Sequence, residues 1–405
     1  MAQATPDYGV LAATPQTSQL QARWMTDSAW AIVANLSQAA GPFLGLILIS
    51  QTHGLGAAGR FAFAQALTTP IILLLSFQLK ALLLTHEVAE LSTASAVGIR
   101  ALSSALGLAV TFGLLIWVSP LAGLLMASRL VDSWAELFQA DQQRNGRMWR
   151  AGSSAFARAC CFLAAIAATA SAEEGVAAYV LLSLFLLLVF DLDSSGFGFQ
   201  FDPTIWKTIF RRGSVLAGAM FLQALQASIP RLVLGHFASE AALGSFATLC
   251  VILQTGNLIA SAFGQGLLPF LGDAPIRRIV IWAGLPAAVA VIVLGATLLA
   301  GDLPLVLFHI PVHPEARRTI LALSLSQLVV WPAAMLGYAL TARRIYGQQI
   351  YLALGLNVVS AASSLLLIPR FGAPGAAVTL GMTATAMLAA AFVLLRRNPI
   401  LSELR

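Results

Sequence analysis

Four basic residues lie well inside apolar stretches of this chain: Lys80, Arg129, Arg158 and Arg231; Arg60 sits near the end of another. A cation in such surroundings is costly unless it meets a counter-charge, water or an anionic ligand. Arginine adds planar, permanently charged donors that match phosphate oxygens. For Lys80 and Arg60 a second reading stands, because a long stem can carry its charge to the nearest polar boundary. The densest chemistry is in the stretch holding Arg129. There Arg129, Asp132, Glu136, Gln139 and Gln143 recur at spacings of three and four, which puts them on one face of a helix. Counted from a turn near Gly146, Arg158 lies twelve residues along the following stretch and position 134 twelve residues back. Asp132 or Glu136 can therefore meet Arg158 across a hairpin. Such a pair lets two charged helices insert together, or forms a charged wall that loads an anion or a proton; both can hold.

Side-chain amides form further stripes. Asn35 and Gln38 share a face with Pro42, and Gln223 and Gln226 share one with Pro230. Gln254, Asn257, Ser261 and Gln265 make a long polar line. One amide in an apolar helix usually bonds a neighbouring helix, but several stripes together, with prolines at 42, 70, 286 and 332, point to a hydrophilic interior in a mobile bundle. Enzyme signatures are lacking: no GxSxG, HExxH or Walker-type loop occurs. Cys160 and Cys161 are adjacent and Cys250 stands alone, a spacing that suits neither a disulfide framework nor a metal site. No cofactor and no metal is expected.

The elements that must position these groups follow from composition. Of 405 residues, 59% are hydrophobic and 10% charged, with mean hydropathy +0.84. Soluble domains carry about 25% charged residues, so a soluble enzyme is excluded. Apolar runs of about 20 residues, enough to cross a ~30 Å hydrocarbon layer as a helix, recur along the chain. The expected fold is an all-α polytopic membrane protein with about twelve spans: 29–50, 60–84, 98–119, 121–142, 151–171, 175–191, 214–236, 242–270, 278–300, 317–341, 348–368 and 373–395. The first 28 residues lack an apolar core behind a charged start, so no cleavable signal peptide is expected.

With the N-terminus placed in the cytoplasm, fifteen basic residues fall in cytoplasmic segments and four (Arg60, Arg317, Arg318 and Arg370) in outer ones. Both termini are thus expected to be cytoplasmic. The net charge of +6 is scattered at span ends, which is topology control and not a nucleic-acid stripe. The organisation expected is a tail over 1–28, an N-lobe over 29–191, a cytoplasmic connector over 192–213, a C-lobe over 214–396 and a short tail over 397–405. Within the connector, WKTIFRR reads as a short interfacial helix, and the glycines and serines before it as a hinge. Two six-span bundles suit alternating access.

Three stretches resemble Wzx-type polysaccharide flippases of the multidrug/oligosaccharidyl-lipid/polysaccharide exporter superfamily. They are HGLGAAGRFAFAQALTTPIILLLSFQLKALLLTHE, DSWAELFQADQQRNGRMWRAGSSAFAR and LIPRFGAPGAAVTLGMTATAMLAAAFVLLRR. The second places an acid, a glutamine, RM, a serine and an arginine at Asp132, Gln143, Arg147, Met148, Ser154 and Arg158. The first departs from the pattern, with Thr85-His86-Glu87 where an acid is expected slightly earlier. The resemblance implies two six-helix lobes around a central cavity in the bacterial inner membrane. It also implies movement of an undecaprenyl-pyrophosphate-linked oligosaccharide between leaflets, alongside the polymerase and glycosyltransferases of the same pathway. Arg158 and Arg231, supported by Arg129, Lys80 and Arg60, are then expected to hold the pyrophosphate, and Asn35, Gln38, Gln223, Gln226, Gln254 and Asn257 the sugars. Asp132 and Glu136 are the candidates for ion coupling or charge pairing. A drug or ion antiporter of the same superfamily is the alternative, and a membrane glycan polymerase or ligase a more distant one.

Overall fold

The computed structural model describes residues 15–85, 92–192, 198, 200, 203–272, 274–343 and 345–397. Every regular element among them is helical, the arrangement that satisfies backbone donors and acceptors within one segment when the solvent is hydrocarbon. The first half comprises α1 (Pro15–Thr52), α2 (Gly54–Leu75), α3 (Leu79–Thr85), α4 (Thr93–Trp117), α5 (Pro120–Arg144), α6 (Met148–Ala168) and α7 (Ala172–Leu186), which continues as a π-helical turn, Leu187–Asp191. The second half comprises α8 (Pro203–Phe237), α9 (Glu240–Leu271), α10 (Ile276–Ala300), α11 (Leu303–Leu307), α12 (Pro314–Ala342), α13 (Tyr346–Phe371) and α14 (Ala373–Arg397).

Each of the twelve expected spans overlaps a long helix. Nine described helices are long and apolar enough to cross a membrane by length and composition; α5, α8 and α9 are the other three. The packing places those three inside the bundle: α5 lies against α2, α4 and α7, α8 against α2 and α13, and α9 against α2 and α12. Local sequence sets many helix starts. Ser119 caps α5 by accepting from the Ala122 N–H, with Pro120 in the first turn; Ser171 caps α7 and Ser239 caps α9 in the same way. Outer faces of α4 and α10 expose Phe112, Ile116, Trp117, Ile281, Ile292 and Leu299, the side chains a hydrocarbon phase accepts.

The halves repeat one packing scheme. In the first, α1 runs along α6, α4 along α5, α6 along α7, α5 along α7 and α2 along α5. In the second, α8 runs along α13, α10 along α12, α13 along α14, α12 along α14 and α9 along α12. Taking spans in order, the second set is the first shifted by six, which defines two six-helix lobes related as a parallel repeat. The lobes meet mainly where α2 packs on α8 and α9.

Two expectations change. The span expected over 60–84 is broken: α2 ends at Leu75, Phe77 and Gln78 take φ +47° and +50°, and α3 restarts at Leu79. Ser76 supports this elbow by accepting from the Gln78 N–H at 3.2 Å through its Oγ. The elbow rests on α8, where the Phe77 and Phe210 rings meet edge to face at 5.0 Å and a Cβ on Gly213 would sit 2.7 Å from the Phe77 carbonyl oxygen. The second change concerns WKTIFRR, which is not a separate interfacial helix. It forms the first turns of α8, continuous from Pro203.

Candidate functional site

The polar stripe of α5 faces α6 and α7 across the N-lobe. Arg158, midway along α6, is 6% exposed. Its Nη1 donates to Asp132 Oδ1 at 3.2 Å and to Ser183 Oγ, and its Nη2 donates to Asp191 Oδ2 at 2.8 Å. Asp132 Oδ1 also accepts from Tyr179 at 2.9 Å and from Ser183 at 3.0 Å. The contact expected between Arg158 and an acid of the preceding span therefore forms, with Asp132 as the acid. A second acid, Asp191, joins it with its side chain fully enclosed. Tyr179 and Ser183 lie four apart on α7, a spacing visible in the sequence, whereas Asp191 lies beyond the end of α7. The π-helical turn at Leu187–Asp191, a rare geometry found often at functional sites, brings the last of them to Arg158.

Beside this cluster lies a cavity of about 120 Å³ whose wall includes Gln38, Arg129, Asp132, Glu136, Gln139 and Arg158. Gln38 donates to Gln139 Oε1 at 3.2 Å, and Gln139 donates to Ser154 Oγ at 3.2 Å, tying α1, α5 and α6 together. Arg129 makes no ion pair or hydrogen bond among the described residues, which leaves its guanidinium for the cavity. Glu136 shares its field with Arg100, which is 2% exposed in α4. Arg100 was counted with the cytoplasmic basic residues at the start of the span expected over 98–119, but α4 begins at Thr93 behind a Ser92 cap, so the arginine lies two turns inside. It is a buried charge that span counting missed.

The C-lobe holds its own cavity in the equivalent place, about 640 Å³, bounded by α8, α9, α12, α13 and α14. Gln223 and Gln226 lie on its wall, joined by Gln327, Gln349 and Tyr338. The expected single hollow shared by Arg158 and Arg231 is not what the two walls show. Arg231 is half-buried on α8, near enough to Cys250 to act on it electrostatically, and lines neither cavity. Nor do Lys80, half-buried on α3, or Asn35, exposed on α1. The side chains of Gln254 and Asn257, with His86 and Glu87, lie outside the described residues.

Arg60 does something local spacing could not reveal. It sits in the first turns of α2, on the side of the bundle opposite Pro15 and Arg397. There it pairs with Glu173 of α7 at 3.5 Å and with Glu240 of α9 at 2.9 Å. Partners in both lobes make it a clamp across the seam. Next to it the helices touch backbone to backbone: a Cβ on Gly59 would fall 1.8 Å from the Glu240 carbonyl oxygen, and one on Gly244 1.9 Å from that of Leu55. Small residues permit this close crossing.

No family model matches the sequence. The chain is 27% identical over 185 residues to the capsular polysaccharide biosynthesis protein CapF of Staphylococcus aureus, a match covering 43% of this chain and 46% of that protein. It therefore spans about half the length of that curated relative. Among solved structures it is similar to a lipid II flippase, MurJ, in an inward closed conformation, with TM-score 0.73 and 10% identity over 92% of this chain and 88% of that one. It is also similar to a multidrug resistance MATE family transporter of the MOP superfamily in an inward-facing conformation, with TM-score 0.68 and 12% identity over 90% and 93%. At such identities the likeness is one of fold. This polytopic all-α chain shares the fold of those solved membrane proteins.

Proposed function

We propose that this protein is a flippase that moves an undecaprenyl-pyrophosphate-linked oligosaccharide repeat unit across the bacterial inner membrane by alternating access. The observation that carries this reading is the buried, charge-lined N-lobe cavity beside a lobe-to-lobe seam held by glycines and one solvent-exposed ion cluster. A pyrophosphate cannot cross hydrocarbon unaided. Arg129, on the cavity wall and without an ion pair among the described residues, offers it guanidinium donors, while Arg158 holds the wall together through Asp132 and Asp191. The lipid tail stays in the bilayer, and both termini face the cytoplasm. The lobes, taken as 29–191 and 214–396, rock about the segment between them. The seam on the far side closes when Arg60 bridges Glu173 and Glu240 and opens when it releases them. The similar proteins, a lipid II flippase and a capsular polysaccharide biosynthesis protein, support a lipid-linked glycan as cargo.

The test is reconstitution into liposomes with a lipid-linked oligosaccharide extracted from the source bacterium. Leaflet exchange is read as accessibility of the sugar to a membrane-impermeant oxidant. Exchange above that of protein-free vesicles is expected, together with accumulation of the lipid-linked unit on the cytoplasmic leaflet after gene deletion. No exchange and no accumulation overturns the reading. One observation favours a second: two carboxylates on a single buried guanidinium, Asp132 and Asp191, suit an ion-coupled antiporter. Proton-driven efflux of a cationic dye without lipid exchange would establish it.

A further inference from the structure

The larger cavity takes no part in the chemistry of the N-lobe, and its character is different. Its volume of about 640 Å³ falls within the range of small-ligand sites, roughly 300–1,000 Å³. From Gly213 to Leu395, Arg231 is the sole charged residue outside the loops and the five residues at each helix end, and it does not line the cavity. The wall instead carries Gln223, Gln226, Gln327, Gln349, Thr341 and Tyr338 among apolar side chains. Gln327 is 5% exposed, and its Oε1 accepts no hydrogen bond among the described residues. Neither Gln223 nor Gln226 makes a side-chain hydrogen bond among the described residues. Gly264 leaves room for the Tyr338 ring, since a Cβ there would lie 2.3 Å from Tyr338 Cδ2. A buried amide without a partner is unfavourable, so the cavity is complementary to a ligand that donates and accepts.

We propose that this cavity binds uncharged sugar units of the cargo, and that the protein selects neutral repeat units over acidic ones. This rests on the lipid-linked reading above. A hexose hydroxyl donates and accepts at once, as each glutamine does, and the tyrosine ring offers a flat face for the sugar's C–H surface. A wholly apolar ligand would leave the amides unpaired. A hexuronic acid would bring a carboxylate into a space whose wall has no cation, which is unfavourable for a buried unpaired charge.

The test uses the full-length protein in lipid nanodiscs and follows tryptophan fluorescence. The probes are a farnesyl-pyrophosphoryl trisaccharide of neutral hexoses, its twin with one hexose replaced by a hexuronic acid, the two trisaccharides without lipid, and farnesyl pyrophosphate without sugar. The neutral conjugate is expected to bind about tenfold or more tighter than its acidic twin. Gln327→Leu removes that advantage and leaves affinity for farnesyl pyrophosphate unchanged, which also shows the variant is folded. Equal affinity for the two conjugates in the unaltered protein overturns the proposal, as does an advantage that survives Gln327→Leu. If farnesyl pyrophosphate binds and the sugars are not discriminated, the cavity proposal falls and the flippase reading stands. Should the lipid-free neutral trisaccharide bind in preference to its twin while no pyrophosphate compound binds, the cavity proposal stands and the flippase reading falls.

Discussion

The N-lobe and the C-lobe share a packing scheme and differ in electrostatics. The first holds about 120 Å³ among Arg129, Asp132, Glu136 and Arg158; the second holds about 640 Å³ with no charged side chain among the described residues of its wall. The difference is sharpest between α5 and α12, which hold the same place in the repeat. The stripe of α5 carries acids and arginine, whereas α12 from Thr319 to Thr341 carries no charge at all. The C-lobe keeps its buried arginine away from the cavity: Arg343, just past the end of α12, donates to the carbonyl oxygens of Leu395 and Ala274. The charges of the N-lobe instead line its cavity and tie α5, α6 and the end of α7 together around a small space.

This comparison can be broken most severely at Arg158. Arg158→Ala leaves Asp132 and Asp191 facing each other without a cation, which is expected to destabilise the protein by about 3–5 kcal/mol. Thermal unfolding in detergent measures it, and Asp191→Asn in the same chain should restore part of the loss. Arg231→Ala, in the neutral lobe, should unfold close to the unaltered protein. Equal stability of both single variants would erase the contrast. At the seam, Gly244→Leu has no room beside Leu55 and should hold the far side open. Transport is expected to drop by at least about tenfold, a loss of roughly 1.4 kcal/mol or more in transition-state terms. Cysteine labelling from the far side should rise with it. Arg129→Ala sharpens the division of labour within the N-lobe. Because Arg129 supports no ion pair or hydrogen bond there, thermal stability should stay nearly constant while cargo transport falls several-fold. The smallest effect belongs to Glu240→Gln. Its pair with Arg60 is largely exposed and is worth less than about 1 kcal/mol, so transport should change less than fivefold, and raising the salt concentration should mimic the substitution.

Much of the fold was legible because span length and charge placement are properties of the chain alone. The Asp132–Arg158 contact was legible too, since a tight turn makes depth in one helix readable from depth in the next. Other features depend on groups far apart in the chain. Glu240 is 180 residues from Arg60, so the clamp looked like a cargo contact. Asp191 was overlooked because a π-helical turn, which ordinary periodicity does not anticipate, sets its register. The elbow at Phe77–Gln78 carries no glycine to announce positive φ; packing against Phe210 and Gly213 holds it there. The division into two cavities was hidden because Arg158 and Arg231 look alike in sequence, and only their neighbours distinguish them.

Nearly all lobe-to-lobe contact runs along α2, which belongs to one lobe and leans on two helices of the other. In the proposed cycle a body held along a single rail has few ways to move: it tilts against that rail, so that one end of the seam parts as the other closes. The stiffness of α2 and its bend at Phe77 would then set how far the tilt can go, much as a keel limits how far a hull can heel.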